Sequence, residues 1–428
     1  MKLVVHPARG TLRGALRVPI SKYHLHRALI FGSLAEGTTV IHGRSDCGHI
    51  GDTLRALRDF GVNVQPTEDG YRLRGGPYRP RNGRIRVGSS GSTLQFMLGL
   101  GCRSSGSAST YDGHHLLRKR PIGPLLDALT QAGIAWESDD HCLPVKILPG
   151  RPAGGRIRIA GTLSQWISGL LMLAPFAARR TTIEVVPPFN ERNYVALTLA
   201  MMRRFGIRVG GSSREGRWTV PPGQRYRACE IDLDADLSSA AFLLGLAALH
   251  PTDLTLTGIR SGKEHPEGGI PAILAAMGLP LRFDGARRTL RIRHSGIRLK
   301  SISVDMRTLP DFLPMMAVLG AAAEGRTVLR NIGPGRMKES NRVRAMLQLR
   351  RMGARLEERG ENLVIEGGQP LAGASVSSFN DHRVEMALAV AATAARGPTE
   401  ITYPNAFRIS YPEFLDHLRT LGVRAEIR

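Results

Sequence analysis

The chain has 428 residues, enough for two or three domains, and carries 59 Lys and Arg against 36 Asp and Glu, a net charge of +23. That balance favours acidic partners, but the basic residues are spread without a block or an aromatic-interleaved stretch, so small anions are expected and nucleic acid is not. Four scattered cysteines (Cys47, Cys102, Cys142 and Cys229) exclude a disulfide scaffold and a zinc pattern, and no apolar run approaches the roughly 20 residues of a membrane span. The start, Met1-Lys2-Leu3-Val4-Val5-His6-Pro7, lacks the apolar core of a signal peptide. A cytoplasmic protein without membrane attachment is expected.

From the N-terminus onward, polar clusters open nearly all-apolar helical runs of about 12 residues. They stand at Ser21-Lys22, Gly91-Ser92, Ser164-Gln165, Ser238-Ser239, Pro310-Asp311 and Asp381-His382-Arg383. A helix apolar on all sides has no solvent face, so the spacing predicts buried helices whose polar starts emerge where water or a ligand waits. Between them a second phrase returns at about 70 residues, an apolar residue, two variable positions, an apolar residue and Gly. It runs Leu57 to Gly61, Leu129 to Gly133, Met202 to Gly206, Leu274 to Gly278, Leu349 to Gly353 and Leu418 to Gly422. Each reads as a helix that ends at a C-cap glycine and turns into a strand. A unit of about 70 residues is too large for an ordinary solenoid repeat, so the six units divide most naturally into two halves of three. A crevice between two such halves is the default ligand site.

The clusters Ser21-Lys22-Tyr23-His24-Leu25-His26-Arg27, Arg118-Lys119-Arg120-Pro121, Ser164-Gln165-Trp166, Leu309-Pro310-Asp311, Arg336-Met337-Lys338-Glu339-Ser340-Asn341-Arg342 and Asp381-His382-Arg383, in that order, resemble the 5-enolpyruvylshikimate-3-phosphate synthase family. Asp236-Leu237-Ser238-Ser239 and the closing Tyr411-Pro412-Glu413-Phe414 extend the resemblance over nearly the whole chain. It implies a two-domain inside-out α/β barrel of six βαβαββ units, three per domain, with residues 15–234 in one domain, 1–14 and 235–428 in the other, and the active-site cleft between them. It also implies transfer of the enolpyruvyl group of phosphoenolpyruvate to a hydroxyl of shikimate 3-phosphate, with release of phosphate, in aromatic amino acid biosynthesis. Neither metal nor cofactor is expected, and a monomer is.

Phosphoenolpyruvate brings a carboxylate and a phosphate on adjacent atoms, so its site must supply fixed cations and N–H donors. By resemblance, Lys22, Ser89, Gly91, Arg120, Gln165, Arg342, Arg383 and Arg408 would hold it, and Lys22, Asp311 and Glu339 would be catalytic. Two carboxylates divide the proton transfers, Asp311 as base toward the acceptor hydroxyl and Glu339 serving the methylene carbon. The acceptor positions would be Tyr23, Arg27, Ser164, Gln165, Glu191, Tyr194, Asp311 and Lys338. Taken alone, Asp311 also reads as a helix N-cap and Glu339 as a helix-start carboxylate.

Departures from the family pattern cluster on the acceptor side. Tyr23, Leu163 and Glu191 stand at serine positions and Pro334 at an asparagine position, whereas the donor positions are better kept. There, Ser89 replaces an asparagine, and Ile409 replaces a lysine with Arg408 adjacent. The acceptor is therefore shikimate 3-phosphate, another cyclitol or sugar, or, in specialised metabolism, a nucleotide. The remaining alternative is a family member that binds ligand without turnover.

Overall fold

The computed structural model describes residues 1–260 and 264–428. The six polar clusters do open buried helices: Lys22–Leu34, Gly91–Met97, Ser164–Leu173, Leu237–Leu249, Leu313–Ala322 and His382–Thr393. Every residue of Lys22–Leu34 and of His382–Thr393 is buried, as a run without a polar face requires. One expected start moves. The helix after Pro310-Asp311 begins at Leu313 with Phe312 as N-cap, so Asp311 lies in the preceding turn rather than at the N-cap position.

The six recurring glycines lie just past helix ends, Gly61 at φ 80° after Gly48–Asp59 and Gly353 at φ 92° after the 3₁₀ turn Leu347–Met352 being typical. At that left-handed angle a side chain is strained, so the phrase must end in Gly. The strands that follow, such as Val64–Pro66 and Arg355–Arg359, are edge strands of six four-stranded sheets. Each sheet has one parallel pair and two antiparallel ones. Gly155–Ala160 runs parallel to Thr181–Val186, which pairs antiparallel with Arg217–Val220, which pairs antiparallel with Gly210–Ser212.

The chain divides into two compact units, Met1–Pro19 with Asp234–Arg428, and Ile20–Leu233. Each holds its own hydrophobic core. The boundary expected at residue 15 would cut the strand Leu12–Arg17, which pairs in parallel with Thr252–Thr257 along its whole length and so stays with the first unit. In the other unit, Glu230–Asp232 returns beside Thr38–His42 and completes that sheet. The N-terminal strand Lys2–Val5 lies between Thr399–Thr402 and Ala425–Ile427.

Small residues let the buried helices touch. A Cβ on Gly169 would meet the Gln95 carbonyl oxygen at 2.1 Å, so Ser164–Leu173 rests directly on Gly91–Met97. In the first unit a Cβ on Gly245 would meet Met315 Sδ at 2.6 Å, between Leu237–Leu249 and Leu313–Ala322. Such contacts fix helix spacing to within an atom, which sets where the polar helix starts fall. Among the described residues no helix is long and apolar enough to cross a membrane.

Candidate active site

In the unit Ile20–Leu233 the candidates gather at helix starts. Lys22 opens its helix 7% exposed, with its ammonium 5.5 Å from the centre of the Tyr23 ring. Tyr23 stands edge-on to Tyr194 at 5.1 Å. Arg27, expected to meet the acceptor, turns inward. Its Nε donates to Thr198 Oγ1 at 2.8 Å, Nη1 to the Tyr23 carbonyl at 2.9 Å and Nη2 to the Tyr194 carbonyl at 3.1 Å. Burial lowers its guanidinium to about 9, with Tyr194 and Tyr23 pulling the other way. Its geometry is that of a clamp between two helices.

Gly91, Arg120 and Gln165 converge: a Cβ built on Gly91 would lie 3.3 Å from Arg120 Nη1 and 3.7 Å from Gln165 Oε1. Gln165 Nε2 donates to Ser92 Oγ at 2.9 Å. The turn before Gly91 is held from behind by Asp52, whose Oδ2 accepts from Ser89 N at 2.9 Å. Gly88 at φ 56° passes so close to that carboxylate that a Cβ would overlap it. Burial pushes the Asp52 carboxyl up, against the pull of the Ser89 and Arg55 donors.

A buried polar chain joins three helices beneath these groups. His26 Nδ1 is 2.7 Å from Thr53 Oγ1, which is 2.6 Å from Thr93 Oγ1, which bonds Ser90 Oγ at 2.7 Å. Burial, then His49, Lys22 and Arg27, hold His26 well below the usual histidine range, so it is neutral beside Lys22. At the start of Ser164–Leu173, Glu191 Oε2 accepts from Ser164 N at 3.1 Å and from Ser164 Oγ at 2.7 Å.

In the other unit the centre is Arg342, 1% exposed. Its Nη1 meets Asp311 Oδ1 at 2.6 Å, its Nη2 meets Glu339 Oε2 at 2.6 Å and its Nε meets Asp381 Oδ2 at 2.9 Å. Arg383 Nη2 lies 3.2 Å from Asp311 Oδ2, and Lys338 Nζ lies 3.8 Å from Asp311 Oδ1. Asp381 also caps its own helix by accepting from Arg383 N at 2.9 Å and takes Ser340 Oγ at 3.0 Å. Burial alone would lower the Arg342 guanidinium. Asp381, Glu339 and Asp311 outweigh it and raise it above the ordinary arginine value.

Arg342, Arg383 and Lys338 thus face Asp311, Glu339 and Asp381 in one small volume. Glu339, Asp381 and His382 offer atoms within 4.8 Å of one another, a spacing that suits a metal ion. Arg342 is bonded to both carboxylates, so the guanidinium supplies the positive charge there.

Arg408 stands apart from this cluster. It is exposed on the 3₁₀ turn Ala406–Ile409, donates to Asn405 Oδ1 at 3.2 Å and lies 5.4 Å from the Phe407 ring centre. That turn is anchored by Glu385, fully buried on the His382–Thr393 helix, whose Oε2 accepts from Phe407 N at 2.6 Å. Burial pushes the Glu385 carboxyl up to about 8, against the N–H groups of Phe407 and Ala406. Asp381, Asp52, His26 and Glu385 were not among the expected site residues. Glu385 carries a signal a sequence offers, one acid inside an otherwise apolar run, whereas Asp52 lies on an ordinary amphipathic helix and carries none.

Residues 7–418 match the EPSP synthase (3-phosphoshikimate 1-carboxyvinyltransferase) family. A 3-phosphoshikimate 1-carboxyvinyltransferase of Methanocaldococcus jannaschii is 31% identical over 437 aligned positions, covering 100% of both chains. That of Methanocella arvoryzae is 34% identical, covering 99% of this chain and 100% of its own. Among solved structures, EPSP synthase from Acinetobacter baumannii superposes with a TM-score of 0.83 at 25% identity over 100% of both chains. The enolpyruvyl transferase NikO from Streptomyces tendae shares the fold, with a TM-score of 0.78 at 17% identity over 99% of this chain and 98% of that one. With its helix starts, repeat and ionic cluster in place, the chain belongs to the EPSP synthase family and is an enolpyruvyltransferase.

Proposed function

We propose that the protein transfers the enolpyruvyl group of phosphoenolpyruvate to a hydroxyl of a cyclitol or sugar acceptor of about the size of shikimate 3-phosphate, the compound in its relatives' name. The observation that carries this reading is the attachment of Asp311 and Glu339 to the two Nη atoms of one buried arginine, each at 2.6 Å. Two carboxylates fixed on one rigid fork suit two proton transfers at neighbouring atoms of one reaction.

In this reading the donor's charges are taken by Lys22, Arg120, Arg342, Arg383 and Arg408, with Ser89, Gly91 and Gln165 supplying neutral donors and space. Asp311 removes the proton of the acceptor hydroxyl as its oxygen bonds to C2 of the enol, and the methylene carbon takes a proton from Glu339, assisted by Lys22. The return of that proton and departure of inorganic phosphate restore the enol double bond on the acceptor oxygen. Glu339 is the more accessible of the pair, with its side chain 19% exposed against 10% for Asp311. It is the partner Arg342 most easily releases when a donor anion arrives. Tyr194, Ser164 and Lys338 flank the acceptor, and Arg27 holds the Tyr23 and Tyr194 backbones in place.

The test is release of inorganic phosphate from phosphoenolpyruvate by the purified chain, with and without shikimate 3-phosphate, shikimate and a panel of hydroxylated rings. Acceptor-dependent release supports transfer. No release with any acceptor, while phosphoenolpyruvate still binds, would leave a binding protein instead.

A further inference from the structure

We infer that Glu191 sets acceptor specificity by filling, with the chain's own carboxylate, a seat that would otherwise take an anionic group of the acceptor. The inference rests on the transfer reading above and narrows it to acceptors without a phosphate at that edge.

The start of Ser164–Leu173 has the features of an anion seat. Leu163 ahead of it offers no side-chain cap, so the Ser164 N–H and hydroxyl need an acceptor from elsewhere. Glu191 supplies it, 2% exposed, with Oε2 at 3.1 Å and 2.7 Å from those two donors. The backbone bends to make this possible. Glu191 sits at φ 55°, a left-handed angle that costs a residue with a side chain, and although it is the N-cap of Arg192–Arg204 its carboxylate makes no cap bond there. The side chain is turned from its own helix to the neighbouring one.

The surroundings are consistent with a closed seat. Tyr194, three residues on, stacks edge-on with Tyr23 at 5.1 Å, and Arg27 grips the carbonyls of both. A second anion placed against a buried carboxylate meets like charge in a poorly screened environment, so a phosphate is repelled where a hydroxyl or an amine is accepted. The acceptor class is therefore a polyhydroxy ring without a phosphate at that edge.

Titration calorimetry on the full chain, with shikimate 3-phosphate and shikimate as probes, tests this without depending on turnover. Glu191→Ser is expected to tighten shikimate 3-phosphate at least tenfold while changing shikimate less than threefold. Glu191→Gln, which keeps the acceptor oxygen and removes the charge, is expected to give a smaller gain in the same direction, and it decides the matter if the serine variant does not fold. An affinity for shikimate 3-phosphate within twofold of the parent in the folded variants overturns the inference, and a lowered melting temperature alongside that result would mark Glu191 as a helix cap only. Failure of the transfer reading shows separately, as absent phosphate release with every acceptor.

Discussion

Arg342 Nε donates to Asp381 Oδ2 at 2.9 Å with both side chains sealed from water, at 1% and 0% exposure. Asp381 simultaneously caps the helix that carries Arg383, so one carboxylate bonds to both Arg342 and Arg383.

Removing that charge leaves a buried guanidinium with one fewer partner. Asp381→Asn is expected to cost about 3–5 kcal/mol of stability, the usual loss when one member of a buried ion pair is deleted. Urea unfolding of variant and parent measures it. A loss below about 1 kcal/mol, the range of an exposed pair, would show that the cluster is not sealed in solution.

Asp311 and Glu339 are expected to limit turnover rather than donor binding. Asp311→Asn and Glu339→Gln keep shape and remove basicity, and each is expected to lower kcat by about 10²–10⁴ on the true acceptor. If the donor binds Arg342 as proposed, Glu339 competes with it there, and Glu339→Gln is further expected to leave phosphoenolpyruvate affinity equal or tighter. Turnover within a few-fold of the parent would remove that residue from the proton path.

On the proposed function, space at Gly91 is expected to govern donor binding through Arg120. In Gly91→Ala the new methyl comes 3.3 Å from Arg120 Nη1 and 3.7 Å from Gln165 Oε1, so the guanidinium must give way. Weakening one charge-assisted bond raises the half-saturating phosphoenolpyruvate concentration about tenfold. Initial rates against donor concentration read this directly, and an unchanged value would place Arg120 outside the donor's reach.

Arg408 contacts Asn405 and Phe407, both on its own turn or beside it, so on the proposed function it reaches the donor only once that ligand is bound. Arg408→Ala is expected to raise the half-saturating donor concentration by about tenfold, matching one charge-assisted bond, while Ile409→Ala changes little. A neutral Arg408→Ala together with tighter donor binding in Ile409→Lys would mean that this turn has shed a cation.

Glu385 links stability to pH. Its carboxyl is pushed up to about 8 by burial. In the unfolded chain a glutamate titrates near about 4.3, so between the two values the folded protein keeps a proton that the unfolded chain has released. Stability from this group is therefore full below about pH 4.3 and falls as pH rises toward 8, by at most about 1.4 kcal/mol per pH unit. Glu385→Gln removes the slope and is expected to melt higher than the parent at pH 8 but not at pH 4. Parallel melting curves for the two proteins across that range would refute the assignment.

What lay open in the sequence was whatever is written along the chain at short range. The all-apolar run after Asp381-His382-Arg383 announces a buried helix, and Gly61 and Gly353 announce its outer companions' ends, because burial and left-handed turns act on neighbouring residues. The order of the motifs announced the family for the same reason. What only the tertiary structure decided was pairing between distant segments. Nothing near Lys2–Val5 says that it closes a sheet with Thr399–Thr402, and nothing near Glu191 says that its carboxylate turns to Ser164 rather than to its own helix. The Asp311 turn, the inward grip of Arg27 and the Asp52 support of Ser89 belong with these. Each is chosen by which groups close packing leaves adjacent and unsatisfied, and a buried donor takes the acceptor that packing brings, however far away in sequence it stands.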